Sequence, residues 1–247
     1  MHLPQTMTDS HSTHRVGFKC VTIMTDTSKS SSSYPVSSTN KIRASHRASY
    51  DVETVHDILD EGILAHVAFA DDGMPIVLPM IYARIEDQLY IHGAKATRLF
   101  KKLKVGLPVC INVTIVDGLV VGRSAFHHSM NYRSVNIHGT ARLVEDEQEK
   151  YNALVAITDH LAPGRWEETR EMTKKEAAAT TVIAVTIETA AAKHRAGMPV
   201  DDEEDYDLDH WAGIVPITTA YGQPIDDARL KDGIQVAPSI RTLTSRK

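Results

Sequence analysis

From about residue 50 onward, apolar positions recur at two periods, one near 3.6 residues and one of two, and most elements can be read from them. Asp51 is a good N-cap, and Val52, Val55, Ile58 and Leu59 follow at helical spacing until Gly62 stops the run. Residues 63–70 then read as a strand, Asp71-Asp72-Gly73 as a hairpin turn, and 74–85 as the returning strand. Pro75 and Pro79 in that strand imply an edge or a bulge. Glu86-Asp87 turns the chain into a strand at 89–93, and a short helix at 97–105 sets Leu99, Phe100 and Leu103 against Lys101, Lys102 and Lys104. The β-branched run at 109–116, the turn pair Asp117-Gly118 and the apolar positions at 119–121 and 135–138 predict a β-meander that ends near Val144. An amphipathic helix at 145–161 is broken by Pro163-Gly164. Thr173 caps a short helix at 174–179, and strands are expected at 181–188 and 211–218, with an acidic loop at 201–209 between them.

Strands at short spacing, with helices inserted rather than alternating, favour a mainly β barrel with flanking helices (α+β) over a doubly wound sheet. No Gly-x-Gly-x-x-Gly follows a strand and there is no phosphate-binding P-loop, which argues against a dinucleotide fold. Residues 1–48 have a different texture. The stretch 25–40 is Ser/Thr-rich, with too little apolar surface to offset the entropy of ordering, so a disordered tail is expected. Met7 and Met24 each precede Thr-Asp and allow a later start; Asp9 and Asp26 argue against an organelle transit peptide. One domain is expected over 49–225, with a loosely ordered C-terminal tail at 226–247.

Composition narrows the partners. The 247 residues carry a formal net charge of −5 and show no long basic face, which argues against nucleic acid. No apolar run approaches the roughly 20 residues needed to span a bilayer. The two cysteines, Cys20 and Cys110, make no disulfide framework, and a reducing compartment such as the cytoplasm is the expectation.

Candidate chemistry concentrates in two places. The first is 117–135, where Arg123, Ser124, His127, His128, Ser129, Asn131, Tyr132, Arg133 and Ser134 interrupt the meander; they make a ligand-binding lip, a polar subunit interface, or both. Adjacent residues on a strand face opposite ways, so His127-His128 is a poor metal pair, and no metal is expected. The second is 89–98, where a strand runs through His92-Gly93 into a helix start bearing Lys95, Thr97 and Arg98. Unsatisfied amides and two cations make this either an anion site or an ordinary solvated helix start. The acidic loop reads as solvated. Trp166 and Trp211 read as packing anchors, with ligand stacking open for Trp211 alone because a glycine two residues on permits close approach.

The chain over 47–224 resembles the pyridoxamine 5′-phosphate oxidase-related proteins of the FMN-binding split-barrel superfamily, in the flavin-nucleotide-binding branch that contains the nitroimidazole-resistance proteins. The motifs that carry the resemblance are Ile76-Val77-Leu78-Pro79, Leu89-Tyr90-Ile91-His92-Gly93 through Thr97-Arg98, the 117–135 stretch, Pro163-Gly164-Arg165-Trp166 and Trp211-Ala212-Gly213. The resemblance implies a six-stranded Greek-key split barrel that forms a homodimer with FMN at the subunit interface. In that implied site Val77, Leu78 and Pro79 pass the flavin ring, and His92 and Gly93 lie beside it. Lys95, Thr97 and Arg98 hold the phosphate, Ser134 contacts the flavin, and Trp211 arrives from the other subunit. The oxidase's Arg-x-His element after that tryptophan is missing, since the chain continues Gly213-Ile214-Val215-Pro216. An FMN-dependent oxidoreductase acting on a small organic acceptor, rather than on pyridoxamine phosphate, is therefore expected. A non-catalytic module that sequesters flavin, haem or a deazaflavin is the alternative, and no catalytic residue is assigned.

Overall fold

The computed structural model describes residues 32–245. The expected alternative start sites, Cys20 and most of the expected disordered tail lie outside the described residues. Two residues of the described part of that tail, Tyr34 and Asn40, are buried. Ser33 bridges Asp51, and Tyr34 is buried in the barrel core, its hydroxyl 2.9 Å from His56 Nε2 and donating to Asp87 Oδ1 at 2.8 Å. Asn40 donates through Nδ2 to the Ala190 carbonyl. The domain's packing thus begins before residue 49, because one buried aromatic and one buried amide tie a polar segment down.

Strands β1 (Ala48–Ser49), β2 (Ala65–Asp71), β3 (Met74–Met80), β4 (Tyr82–Ile85), β5 (Gln88–Ala94), β6 (Pro108–Val121), β7 (Ser129–Leu143), β8 (Thr180–Thr186), β9 (Thr189–Arg195) and β10 (Gly213–Pro216) join one antiparallel sheet. Its main order is β3-β2-β6-β7-β8-β5-β4; β9 joins β7, β1 joins β9, and β10 joins β6. Because β3 runs into β4 through Ile81, the two ends of that order are one bent strand, and the sheet curls back on itself as a split barrel. Ten strands stand where six were expected, the extra ones lying mostly along its rim.

Helices α1 (Val52–Glu61), α2 (Arg98–Leu103), α3 (Glu147–Leu161), α4 (Lys174–Ala179) and α5 (Pro238–Ser245) flank the sheet. Asp51 caps α1 by accepting from the Thr54 amide, and the Tyr82 hydroxyl lies 2.6 Å from the Leu59 carbonyl and 2.8 Å from that of Gly62, serving acceptors left over at the helix end. Leu59, Leu89, Ile91, Ile111, Ile137 and Ile183 fill the barrel, and a second apolar cluster, including Tyr90, Leu154, Ile157 and Val182, lies under α3. α5 falls in the expected C-terminal tail, yet its Ser239 amide and hydroxyl donate to Glu168, at 2.9 and 2.5 Å.

Two expectations fail for stated reasons. Asp117-Gly118 is no hairpin turn: β6 runs straight through it, with a bulge between Val116 and Gly118, and the reversal comes at residues 122–128. Gly118 does not take a positive φ; a Cβ there would meet the Val215 carbonyl of β10 at 3.0 Å, so glycine serves close approach. Asp71 likewise is no turn residue but the buried last position of β2, and Asp72-Gly73 alone make the turn with φ of 53° and 82°.

Candidate functional site

The corner where β5 enters α2 lies beside the end of β2. Arg98 donates through Nε (3.0 Å) and Nη2 (2.5 Å) to Oδ2 of buried Asp71, whose Oδ1 takes Lys102 Nζ at 2.6 Å. Lys102 and Arg98 together hold the Asp71 carboxyl below its usual range. Arg98 and Lys102 share Asp71, with Asp72 4.0 Å from Lys102 Nζ, and Arg98 is held in place while its side chain is 67% exposed. Lys95 is exposed, and no side chain caps α2 because the Thr97 hydroxyl donates back to the Ala94 carbonyl at 3.0 Å. Gly93 has a packing reason: a Cβ there would sit 2.2 Å from Phe100 Cε2, so only glycine lets α2 close onto β5.

Val77, Leu78 and Pro79 lie further along β3 than Met74, the residue that pairs with Asp71. Val77 and Pro79 pair with Ala68 and His66 of β2, and after the Ile81 bend Tyr82 pairs with Ile91 of β5. Val77 and Leu78 are exposed. His92, beside Val182 of β8, is half-buried; its Nδ1 is buried without a hydrogen-bond partner, and desolvation pushes its pKa down, which keeps the imidazole neutral.

Of the expected site residues, Val77, Leu78 and Pro79 thus share β3, and His92, Gly93, Lys95, Thr97 and Arg98 follow one another from β5 into α2. The other two stand apart within a single chain. Ser134 lies on β7, separated from β3 by β2 and β6, and donates to the Lys193 carbonyl at 3.3 Å. Trp211 is 65% exposed and leads into β10, which pairs with the far end of β6.

The polar cluster is largely absorbed by ion pairs. Asp201, buried, accepts from the Arg123 amide at 2.8 Å and its guanidinium at 3.1 Å; burial alone would raise its pKa, but those donors outweigh it. Arg123 also lies 4.7 Å over the Tyr206 ring. Arg133 bridges Glu61 of α1 and Asp117 of β6, which raises its pKa. His127 Nε2, in the 122–128 reversal, is 3.4 Å from Asp202 of the acidic loop, and with Asp205 these three groups fall within 4.8 Å of one another. Reading from sequence missed Asp71 and Asp201, two acids buried as the counter-charges of arginines. Asp71 reads from sequence as a hairpin-turn residue and Asp201 as part of a solvated acidic run, so neither pointed to burial.

A family model described as pyridoxamine 5′-phosphate oxidase matches residues 51–194. The structure of the flavocytochrome Anf3 from Azotobacter vinelandii superposes with a TM-score of 0.78 at 40% identity, covering 84% of this chain and 97% of that one. That of the FAD and haem binding protein from Mycobacterium smegmatis gives 0.77 at 38% identity, covering 80% and 97%. Comparison with curated proteins gives no match. The chain belongs to the pyridoxamine 5′-phosphate oxidase family, on its split-barrel fold.

Proposed function

We propose that the protein is a flavin-binding redox protein that also carries haem. The observation that carries this reading is the likeness, at 40% and 38% identity over at least 80% of the chain, to one protein named a flavocytochrome and another named for binding FAD and haem. The β5–α2 corner suits a flavin phosphate. Arg98, oriented by Asp71, and Lys95 supply the charge, while exposed Val77 and Leu78 offer an apolar edge to a ring system. That arrangement serves FMN, which the resemblance implies, and the phosphate end of FAD equally; the name of the Mycobacterium protein favours FAD. Bound flavin would supply electron transfer, and Lys95 and Arg98 would hold its anionic end.

The same reading makes the protein a homodimer, in which Ser134 and Trp211 complete the partner's flavin site. Support comes from their separation from the corner within one chain and from the exposed Leu119, Met130, Trp211 and Val215 around β6, β7 and β10. Oxidoreduction of a small acceptor is the activity this favours; the missing Arg-x-His element argues against pyridoxamine phosphate as substrate. Titrating the apoprotein with FMN, FAD and riboflavin tests the flavin half. Saturable binding of a phosphorylated flavin, with riboflavin much weaker, is expected, and equal binding of all three would contradict the phosphate corner.

A further inference from the structure

We propose that His138 on β7 would ligate the iron of a haem held in the groove between the β2–β3 hairpin and the β6–β7 pair, a proposal that rests on the haem-binding reading above. The groove holds about 530 Å³; Phe69, Pro75, Ile76 and Val109 are among its apolar lining, and Thr140 and Glu188 among its polar lining. That is the size and apolar character of a cofactor site. Strand register sets its floor: Ala68 pairs with Cys110, Cys110 with His138 and His138 with Thr189, so one rung crosses four strands. Ala68, Cys110 and His138 all line the groove, the first two with small side chains.

Two polar atoms on this rung are buried without partners, His138 Nδ1 and Thr189 Oγ1, at directly paired positions. Buried polar groups are nearly always satisfied, so two adjacent orphans mark a place that a bound group completes. Iron taken by Nε2 would fix the ring and let Nδ1–H donate to the Thr189 hydroxyl, the outer-shell bond that ligating histidines almost always make. One bond would satisfy both orphans.

The rival ligands fit less well. Cys110 shares the rung, but burial pushes its thiol up, whereas iron takes the thiolate. His92 also has an orphaned Nδ1, yet it shares a face of β5 with Tyr90, which packs in the cluster under α3. His127 faces Asp202.

The test is reconstitution of the purified full-length protein with haemin, reading haem per chain, the ferric and ferrous absorption bands, and flavin per chain as a check on folding. His138→Ala should lose haem by about tenfold or more, or lose the imidazole-ligated spectrum, with flavin retained; even outer-shell partners cost that much. Added imidazole should restore the spectrum. A wild-type spectrum in His138→Ala overturns the assignment and leaves the haem reading standing. An unsubstituted protein that takes no haem overturns both. If the alanine variant also loses flavin, the near-isosteric His138→Gln decides: loss of the imidazole-ligated spectrum with flavin kept supports the assignment, and an unchanged spectrum overturns it.

Discussion

Arg98 and Lys95 are separated by two residues and carry the same charge, but the structure gives them different physical roles. Arg98 is held by a buried carboxylate and presents an oriented fork; Lys95 is a mobile point charge. Arg98→Ala should therefore weaken binding of a phosphorylated flavin by about tenfold or more, and Lys95→Ala by less, in titrations of apoprotein; charged hydrogen bonds of about 1.5–3 kcal/mol set that scale. Equal, small losses would remove the phosphate from this corner. His92 yields a pH prediction. Its folded pKa lies below that of the unfolded chain, so the unfolded state takes the proton first and stability falls as pH drops below about 6.5. His92→Gln should flatten the slope of stability against pH between about 6.5 and 5, measured by denaturant midpoints; an unchanged slope contradicts a desolvated neutral ring. Arg98, Lys95 and His92 were legible because strand, glycine and helix start follow one another in sequence. Their controlling partner, Asp71, was not legible, because its burial comes from α2 folding over the end of β2, a contact between residues 27 apart.

At the level of elements, local signals succeeded where a cap or a period decides and failed where neighbouring strands decide. Asp51 and Thr173 cap the helices expected of them, Thr173 with a full capping box. Asp117-Gly118 misled because the same pair that favours a turn also suits a bulge, and only β7 and β10 pairing on either side of β6 keeps that strand running. β9 gave no strand signal: its Thr-Ala-Ala-Ala run has low β-propensity, and what holds it is seven paired positions on β7 with Ala190 and Ala192 fully buried. Gly93 and Phe100 form one packing unit between β5 and α2. Gly93→Ala should destabilise the protein by about 1–3 kcal/mol through overpacking, and Phe100→Leu added to it should recover part of that loss. Additive losses in a double-mutant cycle would contradict the contact. Tyr34 does the same for the N-terminal arm, and Tyr34→Ala should cost about 3 kcal/mol in urea unfolding if the arm belongs to the core. A change near zero would return that segment to the tail the sequence suggested.

Taken as a whole, the molecule is a split barrel of the pyridoxamine 5′-phosphate oxidase family that carries the Arg98–Asp71–Lys102 corner and an apolar groove. The corner was readable from sequence. The groove was not, since its floor exists only when β2, β6, β7 and β9 lie side by side and bring Ala68, Cys110, His138 and Thr189 onto one rung. Among the described residues no helix is long and apolar enough to cross a membrane. Sedimentation of the purified protein should give a dimer, and Trp211→Ala should lower flavin affinity without changing the fold of the chain; a monomer that binds flavin fully would contradict a site shared between subunits.

The most direct test of the account is the absorption spectrum of the purified protein, oxidised and then reduced, with the released chromophores identified by chromatography. The account predicts flavin bands that bleach on reduction, superposed on a haem Soret band that shifts, with a phosphorylated flavin and haem each released. A colourless protein that also takes up neither added flavin nor haemin would contradict it.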